Sequence, residues 1–257
     1  MQQALTASRR GYHLFIEKPL SHTLDGVNEF IEIVTQKKLV VLVGCNMRFH
    51  SSILLMKELL DKKSIGNVIC ARLQSGFYLP DWHPYEDYRK SYSANKHLGG
   101  GVVLDGIHEI DYIRWFLGEI EQVFCFAGKL SDLEIDTEDI AEILLKFETG
   151  AIAEIHLDYI QRFRGRSCHL IGDRGTIIWD QKERAVRLYS AGNNHWQVYP
   201  ESFDNDLNEM YIKEMQHFIR CVEGKEQSVK NEKEAKRVLE IALAVKKSAQ
   251  THQIIKV

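Results

Sequence analysis

The period of the apolar residues changes near Asn67, and that change limits the folds open to this chain. Before it, helical and strand patterns alternate. Met1 to Arg10 reads as a short helix that stops at Gly11, a residue suited to the left-handed position after a helix. His13-Leu14-Phe15-Ile16 is a brief strand-like run halted by Pro19. Leu24 to Lys37 carries Val27, Phe30, Ile31 and Val34 at helical spacing, with Ser21 and Thr23 as candidate caps. Leu39 to Gly44 is a continuous apolar run, the pattern of a strand buried on both faces in a parallel sheet. Ser51 or Ser52 then opens an amphipathic helix through Leu59 that ends near Gly66. The order α-β-α-β-α predicts part of a doubly wound parallel sheet, and two strands are too few to stand alone.

After Asn67 strands follow one another. Val68 to Phe77 reads as a strand, then a polar and aromatic loop runs from Tyr78 to Leu98. Gly99-Gly100-Gly101 leads into a helix over Val102 to Leu117, closed by Gly118. Strand runs are predicted at 121–129, 139–147, 151–161, 166–171, 175–179, 185–190 and near 195–199, separated by turns such as Gly172-Asp173-Arg174-Gly175. Two helices, about 206–223 and 231–250, precede a short Ile254-Ile255 strand. The expected class is therefore α/β followed by α+β, with a large, mostly antiparallel open sheet flanked by helices. The expected boundary falls between residues 1–66 and 67–257.

Composition narrows the function classes. Hydrophobic residues make up 44% and charged residues 27%, a globular balance. Thirty-three Lys+Arg against 36 Asp+Glu leave a net charge of -3, without the basic footprint of a nucleic-acid binder. No apolar run reaches membrane-spanning length, and the first residues lack a signal-peptide pattern, so a cytoplasmic protein is expected. The five cysteines are widely spaced with no C-x-x-C pair, which predicts free thiols rather than zinc or redox chemistry.

Several residues could carry chemistry. Glu17-Lys18-Pro19 ends the first strand, and ligands of open α/β sheets sit beyond the carboxyl ends of strands. A lysine there is a candidate proton donor or oxyanion stabiliser, because desolvation lowers its pKa. Asn46 and Arg48 follow the second strand, where an arginine can grip a carboxylate or phosphate bidentately. Asp105, His108 and Tyr112 share one face of the helix after the triple glycine, and a carboxylate beside an imidazole suits general acid–base work. Three glycines would let a ligand approach the backbone. Glu109 and Asp111 read as solvated charge. The loop holding Trp82, Tyr88, Arg89 and Tyr92 mixes aromatic faces with hydrogen-bonding groups, as a sugar or nucleoside site would. Tyr159, Arg162, Arg164 and Arg166 form a basic patch able to meet a phosphate or carboxylate. No H-E-x-x-H or comparable spacing supports a metal site.

Taken in order, "GYHLFIEKPLS", "VGCNMRFH", "GGGVVLDGIHEIDYIRWFLG" and "LIGDRGTIIWD" resemble the glucose–fructose oxidoreductase / inositol dehydrogenase / MocA family over essentially the whole chain. The stretch from Tyr78 to Asp105 looks like a branch from surface-sugar and nucleotide-sugar metabolism. The resemblance implies an NAD- or NADP-dependent oxidoreductase moving hydride between nicotinamide and a sugar, nucleotide-sugar or polyol carbon. Carried over residue by residue, Lys18 would bond the reacting oxygen, His108 would exchange its proton and Asp105 would tune the pair. Glu17, Lys18, Pro19, Asn46 and Arg48 would lie near the cofactor. Arg48, Trp82, Tyr88, Arg89, Tyr92, Tyr112, Tyr159 and Arg166 would surround the substrate. The family pattern usually starts with strand–G-x-G-x-x-G–helix, which this sequence does not contain. The first 66 residues are therefore expected to be the C-terminal portion of a Rossmann NAD(P)-binding domain. The remainder would be the substrate and oligomerisation domain, forming a homodimer or homotetramer through its sheet.

One form of that reading has a separate N-terminal polypeptide complete the cofactor site. A zinc hydrolase is a competing reading. Alternatively, the chain would be an inactive relative serving as an assembly or sugar-binding module.

Overall fold

Two sheets follow the two periods of the sequence. The computed structural model describes residues 1–201 and 208–257. In the first part, α1 (Gln2–Arg9), β1 (Leu14–Glu17), α2 (Val27–Lys37), β2 (Val41–Gly44) and α3 (Ser51–Asp61) succeed one another. β1 and β2 pair in parallel, Leu14 opposite Val41 and Glu17 opposite Gly44. β2 is buried along its whole length, as its unbroken apolar run predicts. The start of α2 differs from expectation. Gly26 takes φ 74° at its N-cap, and the hydroxyls of Ser21 and Thr23 bond the turn before it. The helix therefore begins at Val27 rather than Leu24.

The second part contributes β3 (Val68–Gly76), β4 (Ile120–Gly128), β5 (Ile140–Phe147), β6 (Ile152–Asp158), β7 (Gly165–Gly172), β8 (Gly175–Asp180), β9 (Ala185–Ser190), β10 (His195–Pro200) and β11 (Ile255–Lys256). They form a nine-stranded sheet in the order β10-β9-β8-β7-β3-β6-β5-β4-β11. Within it β3 and β6 run parallel, and the other neighbours are antiparallel. Gly172-Asp173-Arg174-Gly175 is the β7–β8 turn, as read from the sequence. Burial alternates along β5, with Ala141, Ile143, Leu145 and Phe147 inward and Glu142, Leu144 and Lys146 outward. One face of the sheet is therefore covered and one open.

The covering layer holds α5 (Val102–Asp105), α6 (Ile107–Leu117) and α8 (Glu232–Thr251). α4 (Leu79–Trp82) lies in the loop before them, and α7 (Asn208–Val222) packs against β2 and the turn after it. The predicted start of α7 at 206 lies outside the described residues. The helix expected over 102–117 is two helices. They meet at Gly106, where a Cβ would stand 2.8 Å from Leu157 on β6 and 2.9 Å from the Val102 carbonyl. The close approach of helix to sheet requires glycine there.

α6 touches β3, α8 and α3 at once, so it has no solvent face. That overturns the reading of Glu109 and Asp111 as solvated charge. Both are buried, Glu109 beside the Arg166 guanidinium at 2.8 Å. Asp111 accepts bidentately from Arg48 Nε at 2.8 Å and Nη2 at 2.9 Å, and also from Lys230 Nζ. A buried carboxylate persists only with such compensation.

His156, on the open face, lies between Glu142 at 2.6 Å and Asp158 at 2.9 Å, one at each ring nitrogen. Both nitrogens can donate only as imidazolium, and these carboxylates raise its pKa to about 9. The folded value exceeds the unfolded one of about 6.5, so this stabilisation is complete below that pH and fades up to the folded pKa. Urea unfolding of His156→Gln is expected to show a stability deficit near about pH 6 that vanishes near about pH 10.

Candidate functional site

At the carboxyl end of β1 the chain turns inward, toward the end of α5. Lys18 Nζ donates to the Asp105 carbonyl at 3.0 Å and to Asp105 Oδ1 at 2.8 Å. The same carboxylate accepts from Tyr92 Oη at 2.6 Å, Ser93 Oγ at 2.8 Å and Tyr159 Oη at 2.9 Å. Gly100 makes this convergence possible, because a Cβ there would lie 2.2 Å from the Tyr92 carbonyl and 2.6 Å from that of Ser93. Gly101, at φ 106°, would place a Cβ 2.3 Å from Glu138 Oε1. These two glycines admit neighbouring protein chain, where the sequence suggested room for a ligand.

The charge states follow from that geometry. Burial opposes ionisation of Asp105, but Lys18 and the three hydroxyl donors outweigh it and hold the carboxyl below its ordinary range. Burial would likewise lower the Lys18 pKa, yet Asp105, with help from Tyr92 and Glu17, drives it well above the usual lysine value. The expected lowering is thus reversed, and Lys18 is a permanent cation. Two of its three N–H groups go to Asp105, leaving one for a ligand.

His108, the second residue of α6, is buried, with no hydrogen-bond partner at Nδ1 among the described residues. Burial first, then the positive charges of Lys18 and Arg166, push its pKa well below the ordinary histidine value. The imidazole is neutral at neutral pH. The expected Asp105–His108 contact is not among the hydrogen bonds of Asp105. The break at Gly106 separates the two residues, and the carboxylate turns to Lys18 instead.

Lys18 and His108 face a cavity of about 320 Å³, with Glu17 and Asn46 beside them and Trp82 and Tyr92 on another wall. Arg164, Gly165 and Arg166 enter from the start of β7. Asn46 Oδ1 is buried and without a partner among the described residues. Pro19 lines a smaller adjoining hollow, shared with Glu17, Lys18 and Tyr92. Other sequence candidates lie elsewhere. Arg48 is committed to Asp111, Tyr112 is wholly buried in the core, and Tyr159 serves Asp105 from within. Arg89 pairs with Asp87 and Glu134 at the surface, and Tyr88 Oη accepts from the Glu134 backbone N–H.

The sequence did not point to His50, Trp179, Met210 and Tyr211, which also line the cavity. They come from distant segments, the turn after β2, β8 and α7, which only the tertiary fold brings together. Glu214, on α7, is buried with its pKa raised to about 8 by burial and by the charge of Glu17. As one acid on an amphipathic helix it carried no visible signal.

Comparison with known proteins gives this arrangement a lineage. Residues 53–178 match the family model of the GFO/IDH/MocA C-terminal domain. The chain is 29% identical to the myo-inositol 2-dehydrogenase of Thermotoga maritima over 256 residues, covering 95% of this chain and 72% of that protein. It is 26% identical to the scyllo-inositol 2-dehydrogenase (NAD(+)) of Bacillus subtilis, covering 95% and 70% respectively. Among solved structures, levoglucosan dehydrogenase in complex with NADH superposes with a TM-score of 0.89 at 19% identity, covering all of this chain and 76% of that one. The chain is thus similar to oxidoreductases of the GFO/IDH/MocA group, through the C-terminal domain model over residues 53–178 and the two inositol dehydrogenases.

Asp105 holds a cation and three hydroxyl donors in a closed setting, so removing its charge leaves Lys18 uncompensated. Asp105→Asn is expected to lower the unfolding free energy by about 3–5 kcal/mol, measured by urea denaturation.

Proposed function

We propose that this protein is an NAD(P)-dependent oxidoreductase that transfers hydride between nicotinamide and the carbinol carbon of a sugar, nucleotide sugar or polyol. The observation that carries the reading is the meeting of a fixed cation, Lys18, and a neutral, buried imidazole, His108, on one cavity at the carboxyl ends of two parallel strands. Such strand ends are where open α/β sheets receive ligands. The inositol dehydrogenase relatives support the same reaction class. On this reading residues 1–66 are the cofactor side and 67–257 the substrate side.

The residues present fit the nicotinamide end of the cofactor. Asn46 Oδ1, buried and unpartnered among the described residues, is an acceptor of the kind a carboxamide N–H requires. Glu17 and Pro19 would flank it at the end of β1. Bound there, the cofactor supplies the hydride acceptor or donor.

The chain's own groups handle the proton and the oxygen. In the oxidative direction neutral His108 takes the hydroxyl proton. The free N–H of Lys18 bonds the oxygen and stabilises the negative charge that grows on it. Asp105 is the positioning group, since it fixes Lys18 in place and in charge. Trp82 and Tyr92 supply a face and a hydroxyl for the carbohydrate. The open sheet face, with Phe126, Leu144 and Ile152 exposed, would serve self-association.

His108→Ala is expected to reduce kcat for NAD(P)+-dependent polyol oxidation by about 10²–10⁴-fold, with NADH affinity nearly unchanged. The acid limb of the kcat/KM profile should fall below the usual histidine range, because the base stays unprotonated to lower pH. Retention of full activity by the variant, or an acid limb at an ordinary histidine pKa, would remove His108 from the role.

A further inference from the structure

Charge on the cavity wall is unevenly matched. Lys18 is paired with Asp105 at 2.8 Å, and Arg166 lies 2.8 Å from Glu109. Glu17, the remaining acid on the wall, lies next to Lys18, and burial raises its pKa. Arg164 has no ion pair or hydrogen bond among the described residues, although its side chain borders the cavity.

Its neighbours are occupied. Arg162 lies over the Tyr78 ring at 3.6 Å, and Lys182 covers the Phe163 ring at 3.8 Å. Arg166 is further tied to Ser75 Oγ at 3.3 Å. Arg164, the residue before β7, is exposed at the surface and lines the cavity. Desolvation by the surrounding chain and the like charge of Arg166 both lower its pKa, so an anion beside it would relieve the two effects together. A guanidinium presents a planar fork that grips carboxylate or phosphate through two parallel bonds. The same cavity is lined by groups suited to a carbohydrate, Trp82, Tyr92 and the Lys18–His108 pair. A volume of about 320 Å³ is at the small end of ligand sites, consistent with a single sugar ring.

We propose that the substrate is a sugar or polyol bearing an anionic group, carboxylate or phosphate, and that Arg164 at the cavity entrance binds that group. This deepens the oxidoreductase reading and rests on it for the identity of the cavity as a carbohydrate site. It also makes Arg164 a specificity residue, outside the proton and hydride chemistry.

The test is titration calorimetry of the protein with D-glucose, D-glucuronate and glucose 6-phosphate, alone and in the Arg164→Gln variant. At low salt at least one of the two anionic sugars should bind about tenfold or more tightly than glucose, and whichever does so identifies carboxylate or phosphate. Arg164→Gln should bring that ratio to about one with glucose affinity and melting temperature unchanged, and added salt should erode it. Equal binding of all three sugars, no binding of either anion, or a preference that survives Arg164→Gln would overturn the proposal. NADH titrated in parallel separates the two readings. NADH binding without anion preference sinks the substrate class alone, whereas anion preference without NADH binding sinks the dehydrogenase reading.

Discussion

The Asp105 carboxylate is the constraint on which the site depends. It is nearly sealed from solvent, yet ionised, because a lysine and three hydroxyl groups converge on it from three separate segments. Each contact does two things. It offsets the cost of burying charge, and it ties the end of β1, the loop at 92–93 and the end of β6 to the end of α5. Lys18 is thereby held as a cation, and its field helps keep His108 neutral. One buried anion thus fixes the charge of Lys18, while burial together with that cation keeps His108 neutral.

A second buried carboxylate does comparable work further along, in α6. Asp111 takes Arg48 and Lys230, joining the turn after β2 to the segment before α8. Lys230 in turn covers the edge of β2, its carbonyl accepting from the Val43 N–H at 2.9 Å. The parallel pair is small, and these ionic ties hold it against the larger sheet. With Glu109 beside Arg166, Asp111 explains why α6 carries charge on faces that never meet water.

Much of the fold was legible because it rests on local periodicity. β2 announced itself as a run of six apolar residues, and the β7–β8 turn by its flanking glycines. Lys18, Asn46 and His108 could be singled out because each follows a strand end or the triple glycine. What the sequence hid was nonlocal. Nothing near Glu109 or Asp111 reveals that their partners lie at Arg166 and Lys230, so they passed for surface charge. Arg48 matched the expected bidentate grip, but its carboxylate belongs to the protein itself. The crowding at Gly106 was equally invisible, since the leucine that a side chain there would meet lies on a strand formed much later in the chain. Tyr112 fell on the right helical face, yet that face is core.

The account stands on a neutral His108 placed beside a nicotinamide site, and histidine ¹⁵N NMR of the protein measures both properties at once. With the His108 resonance assigned through His108→Gln, a pH titration should show a neutral ring that does not protonate in the ordinary histidine range. Addition of NADH should shift that same resonance. A ring that titrates near its usual pKa, or one indifferent to NADH, would contradict the account.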